Sequence, residues 1–573
     1  MDYFVPDWND VVDPWFNFPL DKPSGEHLRD PAKTDVRAHE LFPLGEIPYD
    51  GILVSRMTFA PGAGVLQKAR EASLRLRFRL PDELLLMADC GAWGYVDRDE
   101  PPFDSEEILD FYADGGFDYG VSIDHMIVDS IIEDDITRPL TKEEKERRWD
   151  ITVENGKEIL NLSRKRHLNG KPRLVGAIQG WNEESYVRAA EQLLGEGYDF
   201  IGIGGLARAP TSGILRVAAA VSRSIQSYGR RSGRRIDLHI FGITRMKVVS
   251  ELARLGVTSF DSASLLRKAW LSKDENYYLD DKTAYAAVRI PHSSRSTRIR
   301  ARLASGEMKS ERLHDLETDA LAAARNYALG EVDLEMAVSA IAKYDFAALG
   351  LRGDIRRDLR RTLRAKPWEQ CACPLCCKIG VEIILHRGND RNRRRGFHNL
   401  WVFHKYLRKL VPRILVLTNC TQKKHGRRSD LPAYLRYSKS DTFQLWWKNL
   451  REVRGIDLGV LSAEHGVVPW WKPIPNYNKR IEELSQEEKL RLEKKVSMVL
   501  LRYDLVFFSG LGEYGRMMRK LALSANPRVE LFPKKELSSR KLDLLELKRQ
   551  IPDMRGAVLK AVSASGGRGL DLF

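Results

Sequence analysis

Long apolar runs are missing from this chain of 573 residues. No stretch reaches the roughly 18 consecutive apolar positions that a membrane-spanning helix needs. The opening segment, MDYFVPDWNDVVDPWFNF, is acidic and aromatic. It lacks both the basic leader and the apolar centre of a secretory signal. The chain is therefore expected in the cytoplasm, where thiols stay reduced. Cysteine is scarce: six residues in all, too few for a disulfide framework at this length. No internal repeat is found. What remains is an ordinary globular composition, 43% apolar and 30% charged, long enough for two to four domains.

Acidic charge is also in deficit. The formal net charge is +14 and the isoelectric point about 9.3. The excess is clustered, in GRRSGRR (229–235), RGDIRRDLRRTLR (352–364), RGNDRNRRR (387–395) and KKHGRR (423–428). A basic helical face is often merely solvated. Four clusters together favour a polyanionic partner, most simply nucleic acid.

Between residues 45 and 270 short apolar runs alternate with amphipathic stretches. ILVSRMTF (52–59), LLLMADC (84–90), YGVSID (119–124), LVGAIQG (174–180), FIGIGGL (200–206), LHIFGI (238–243) and SFDSAS (259–264) read as buried strands. SYVRAAEQLLGEGY (185–198) and RMKVVSELARLGV (245–257) read as helices between them. The alternation predicts a parallel sheet, and seven strands over this length favour a (β/α)8 TIM barrel. The predicted fold is α/β: an N-terminal extension (1–45), the barrel (46–345), an Arg-rich metal subdomain (346–410) and a small C-terminal α/β domain (411–573).

Barrel enzymes work at the C-terminal ends of their strands. Here those ends carry Asp89, Asp124, Gln179, Gly204, Gly205 and Asp261. Any one of the acids could simply cap the next helix. Three acids and an amide converging on one mouth make a site the better reading.

Cys371, Cys373 and Cys376 form C-x-C-x2-C, a spacing that lets three thiolates fold around one zinc ion. Cys377 is too close to Cys376 to join it. His386, His398 and His404 are all available as the fourth ligand, and four protein ligands make the zinc structural.

These pieces, taken in order, resemble the tRNA-guanine transglycosylase superfamily over roughly residues 45–405. CACPLC followed by His398-Asn399-Leu400 looks like the family's zinc signature, which implies His398 as the fourth ligand. MADCGAW (87–93) looks like its Asp-Ser-Gly-Gly-Phe strand end, with Cys90 in place of Ser and Ala92 in place of the second Gly. AIQG, GIGGLA, LHIFGI and SFDSAS match its other strand ends. The resemblance implies base exchange, with Asp261 as nucleophile and Asp89 as general acid/base. It also implies that Asp124, Gln179, Gly204 and Gly205 read the base. A carboxylate suits the N1–H and amine donors of guanine, while an amide and a backbone N–H suit O6 and the substituent at position 7.

The zinc spacing is a few residues shorter than the family's usual one, and the stretch before His398 is richer in arginine than in the tRNA enzymes. In this it resembles the branch called DpdA, which implies insertion of 7-cyano-7-deazaguanine into DNA, with an activity associated with the nucleoid. Arg387, Arg391, Arg393, Arg394 and Arg395 are then expected to grip phosphates beside the barrel mouth. The alternatives are the same chemistry on tRNA, or a zinc-stabilised nucleic-acid-binding protein without activity. Helper proteins of a DNA-modification system and a second copy of the chain are further partners to consider. NCTQKK (419–424) and LSAEHG (461–466) in the C-terminal domain resemble motifs of small uncharacterised α/β domains. Cys420, Lys423, Lys424 and His465 are either a phosphate pocket or an ordinary strand end with a surface loop.

Overall fold

The computed structural model describes the chain apart from residues 60–72, 134–135, 167, 169–171, 244, 246–247, 295, 305–308, 351–354, 427–429, 525–527, 533–540 and 565–573. Parts of three stretches singled out above lie outside the described residues: 246–247 in the second helical stretch, and 352–354 and 427–428 in two basic clusters.

Eight parallel strands close into a barrel. They are β1 (Asp2–Pro6), β2 (Gly51–Ser55), β3 (Leu85–Asp89), β4 (Tyr119–Val121), β5 (Arg173–Ile178), β6 (Phe200–Ile203), β7 (Asp237–Ile240) and β8 (Ser259–Asp261). Seven coincide with the apolar runs read from sequence. Strands covered on both faces need no polar alternation, and β5, β6 and β7 are buried at every position. The eighth strand comes from the segment set apart as an N-terminal extension. In β1, Phe4 pairs with Gly51 on one side and Asp261 on the other. A Cβ at Gly51 would lie 2.4 Å from the Phe4 ring, so closure of the barrel depends on a glycine there. The intervening helices carry strong local signals. Lys142–Lys165 opens on a Thr141/Glu144 capping box, and Glu183–Glu196 is capped by Asn182 and ends at Gly197 with φ 112°.

After the barrel, β9 (Ile414–Asn419), β10 (Ile456–Ser462), β11 (Gly466–Pro469), β12 (Leu505–Ser509) and β13 (Arg528–Phe532) form an open sheet in the order β11-β10-β9-β12-β13. Helices cover both faces of this sheet. No helix among the described residues is long and apolar enough to cross a membrane.

The chain divides into two compact units. One comprises Met1–Asp7, Asp50–Ser262 and Leu407–Phe573; the other comprises Trp8–Tyr49 and Ala263–Tyr406. Barrel and C-terminal sheet therefore share a unit, while residues 263–345, grouped with the barrel from sequence, fall in the other. Within the first unit, Arg413 reaches Asp2, Asp50 and Asp457 at 2.8, 3.0 and 3.3 Å. Arg235 donates to the carbonyls of Val453 and Ile456 at 2.9 and 2.7 Å. Buried guanidinium groups are tolerated only when their donors are used in this way.

Candidate active site and metal centre

The ends of β3, β4, β5, β6 and β8 bring Asp89, Asp124, Gln179, Gly204, Gly205 and Asp261 to the C-terminal mouth of the barrel. Asp261 is buried, and its Oδ1 accepts from the Gly242 N–H at 2.9 Å. His239 Nε2 lies 3.3 Å from the same oxygen, and its Nδ1 lies 2.8 Å from Ser259 Oγ. With the Ser259 hydroxyl donating to Nδ1, the Nε2–H is the group that donates to Asp261. His239 is fully buried in β7 and fixes the orientation of the carboxylate. Sequence reading passed over it. The available signal was one histidine inside the apolar run LHIFGI.

Asp89 sits at the end of β3 with its Oδ1 buried and no hydrogen-bond partner for that atom among the described residues. Ser55 and the Gly91 N–H donate to the carboxyl group. Burial, and next the negative charge of Asp261, push its pKa up to about 8. Asp124 adds to the rise, so three carboxyl groups share one field. An acid held protonated at neutral pH beside an ionisable partner is the arrangement that divides two roles between two carboxyls.

Asp124 is buried, which raises its pKa. Its carboxylate accepts from Gln179 Nε2 at 2.6 Å and from Cys90 Sγ at 3.1 Å. Tyr95 Oη in turn lies 2.9 Å from Cys90 Sγ and 2.8 Å from the Asp124 carbonyl. Cys90 thus takes up the donor role that a serine would have there. Gln179 Oε1 is buried without a partner among the described residues, an acceptor left for a bound group. Gly204 and Gly205 are needed for close approach. A Cβ at Gly204 would lie 2.2 Å from Gln179 Nε2, and one at Gly205, where φ is +77°, 2.6 Å from Gln179 Oε1. Tyr186 anchors this turn through a 2.9 Å bond to the Gly204 carbonyl.

In the second unit, Cys371, Cys373, Cys376 and His398 are all buried, with ligand atoms within 4.8 Å of one another. The three sulfurs lie 3.6, 3.4 and 3.4 Å from His398 Nδ1. A tetrahedron with metal–sulfur bonds of about 2.3 Å and a metal–nitrogen bond of about 2.0 Å has edges of roughly 3.5 Å. The donor set therefore fits one metal ion such as zinc. His398 Nε2 donates to the Tyr278 carbonyl at 2.8 Å, which leaves Nδ1 as the ligand, and Tyr277 stacks on the ring at 4.0 Å. His386 does not join the cluster; burial and the charge of Arg395 push its pKa down to about 3.

The arginines expected to grip phosphate do something else. The stretch runs into the start of the helix Gly388–Leu410. Arg387, Arg391, Arg394 and Arg395 are buried. Arg387 pairs with Asp21 and Glu317 at 2.5 and 2.6 Å. Arg391 pairs with Glu382 at 2.7 Å and also with Asp21. Arg394 holds Asp390 and the Asp13 carbonyl, at 2.8 and 2.5 Å. Arg395 donates to the carbonyls of Ala269 and Leu385 at 2.7 and 3.0 Å. Arg393, partly exposed, donates to the Val11 carbonyl at 2.6 Å. Arg387, Arg391, Arg393 and Arg394 fasten residues 8–49 to this segment within the unit. Their donors are used internally, so this segment is not a phosphate grip. Truncating Arg391 would leave Asp21 to Arg387 and Glu382 to Arg325, so the loss is that of charge-assisted hydrogen bonds, about 1.5–3 kcal/mol.

In the C-terminal sheet, Cys420 Sγ lies 3.0 Å from Tyr514 Oη, and Lys424 Nζ lies over the Tyr477 ring at 4.3 Å. His465 meets the same ring edge-on at 4.9 Å. The structure brings these motif residues together around Tyr477; Lys423 is exposed.

No family model matches the chain. A DNA-guanine transglycosylase of Salmonella montevideo is 34% identical over 418 residues, covering 71% of this chain and 96% of that protein.

Proposed function

Since the chain belongs to the guanine transglycosylase family of glycosyltransferases, we propose that it replaces guanine in DNA with a 7-deazaguanine, 7-cyano-7-deazaguanine being the expected base. The observation that carries this reading is the pairing of Asp261, oriented by two donors, with Asp89, whose pKa is raised to about 8 by burial and by Asp261 itself. One is set up to attack and the other to deliver a proton. The relative's name supports DNA as the nucleic acid.

The exchange runs as two displacements at one carbon. Asp261 attacks C1′ of the target nucleotide while the bond to the guanine nitrogen breaks, and Asp89 gives that nitrogen its proton. The product is a deoxyribosyl ester on Asp261 and a neutral guanine. The incoming base then gives its N9 proton to Asp89 and attacks C1′, releasing the Asp261 carboxylate. Asp124 and Gln179 read the edge of the base, with the free Gln179 Oε1 accepting from one of its donors. The target must leave the duplex stack for C1′ to be reached.

The test is incubation of the full chain with labelled 7-cyano-7-deazaguanine and either DNA or tRNA. Label is expected in DNA; label in tRNA alone would overturn the choice of nucleic acid.

We assign the Cys371/Cys373/Cys376/His398 cluster to structural zinc. Such sites contribute on the order of 10 kcal/mol of binding free energy in small domains. Stripping the protein with a strong chelator should release one zinc per chain in a colorimetric assay and lower the melting temperature of the second unit. An unchanged melting curve after complete metal release would remove the structural role.

A further inference from the structure

A cavity of about 390 Å³ opens beside the base-reading residues, lined among others by Trp93, Lys145, Trp181, Tyr186, Gly205 and Arg208. Gly205 connects it to the reading site, because a Cβ there would touch both Gln179 Oε1 and Tyr186 Oη, at 2.6 and 3.0 Å. Two indoles are left wet at this one place, Trp93 at 45% and Trp181 at 37% exposure. The Arg208 guanidinium lies 4.9 Å over the Trp93 ring. Of the other charged lining groups, Arg216 is neutralised by Glu183 at 2.7 Å, and Asp129 is exposed. Lys145 and Arg208 have no acidic partner among the described residues.

We infer that this cavity holds the nucleotide next to the exchanged guanine, with Trp181 as its stacking platform and Arg208 as partner of the intervening phosphate. The inference rests on the guanine-exchange reading and adds a subsite to it. Three features select this occupant. The cavity is of the size that takes a small organic ligand, about 300–1,000 Å³, far more than a substituent of two atoms on the base would fill. Exposed indole faces gain from any nucleobase, whatever its sequence. Cations without acidic partners match the phosphate that must follow the base along the strand.

The experiment compares Trp181→Ala, Trp181→Phe and Arg208→Ala in the full chain. Affinity for a short single-stranded oligonucleotide with one guanine is measured by fluorescence anisotropy at several salt concentrations, and label incorporation is measured alongside. Trp181→Ala should weaken oligonucleotide binding by about 10-fold or more and raise KM for DNA by the same factor with kcat held. Trp181→Phe should restore most of the loss, and Arg208→Ala should reduce the slope of log affinity against log salt by about 0.7. Binding of the free deazaguanine should be the same in all variants. Unchanged oligonucleotide affinity in Trp181→Ala would overturn the subsite, as would loss of free-base binding, which would assign the cavity to the base. Absence of incorporation by the unmodified chain would instead count against guanine exchange, and the anisotropy series would still decide the subsite.

Discussion

Asp261→Asn is expected to lower base exchange by on the order of 10⁴-fold or more and to abolish any covalent protein–DNA species. The substitution keeps the shape of the side chain. Its amide oxygen can still accept from the Gly242 N–H and from His239 Nε2, the two donors that hold Oδ1 of the native carboxylate. What is lost is the nucleophile, because an amide cannot form the ester that carries the sugar between bases. The check is a denaturing gel of enzyme mixed with end-labelled DNA in the absence of incoming base. The unmodified chain should show a slow-migrating adduct and the variant none. An adduct of equal intensity in Asp261→Asn would place the nucleophile elsewhere.

The second large effect belongs to Asp89, and it has opposite signs for activity and stability. With a folded-state pKa of about 8, Asp89 is protonated at neutral pH and can act as the acid. The rate should therefore be near level from about pH 6 to pH 8 and fall about tenfold per unit above it. Asp89→Asn should cost about 10²–10⁴-fold in exchange. In the unfolded chain an aspartate ionises near its ordinary value of 3.8. Between pH 4 and 8 the folded protein thus holds a proton that the unfolded chain has released. The stability from neutral Asp89 is fully present below pH 4 and is lost as pH rises through 8. Asn cannot ionise and escapes that loss. Asp89→Asn should be more stable than the parent by on the order of 3 kcal/mol at pH 7, with the difference vanishing near pH 4. Urea denaturation at pH 5, 7 and 8.5 reads this directly. A stability difference that does not change with pH would show that Asp89 is not held neutral by the fold.

Both predictions concern residues that were visible in the sequence, and the reason is local. Barrel strands are buried on both faces, so they appear as apolar runs, and the residue that ends such a run is by position a residue of the mouth. Asp89, Gln179 and Asp261 could be named for that reason alone. The thiolates of the metal centre were legible for a similar reason: three cysteines within six positions, at the spacing of metal ligands, leave few other uses. The choice among His386, His398 and His404 was not local. It depends on which imidazole the fold turns toward the sulfurs, His398 and His404 lying on the helix Gly388–Leu410 and His386 before it.

The arginines mark where this style of reading fails. A run such as RNRRR shows charge but not what faces it. Asp10, Asp13 and Asp21, the acids and carbonyl-bearing neighbours that satisfy these guanidinium groups, stand more than 350 positions earlier in the chain. Nothing in the local pattern separates an arginine destined for a buried ion pair from one destined for phosphate. The preference for DNA that was drawn from these arginines now rests on the relative instead. The first strand was missed for the same kind of reason. DYFVP is five residues long and polar at one end, and only its pairing with strands that begin some 50 and 250 positions later makes it part of a barrel.

The sequence by itself determined the class of fold, the acids at the strand ends and the three thiolates, because burial on both faces, strand termination and ligand spacing are all written within a few residues. Tertiary structure alone decided which segment closes the barrel, how His239 orients Asp261, how far the pKa of Asp89 moves and where the arginines spend their charge. Each of these depends on groups that meet in space from distant parts of the chain, and the energy of such a meeting is set by distance and burial rather than by sequence position.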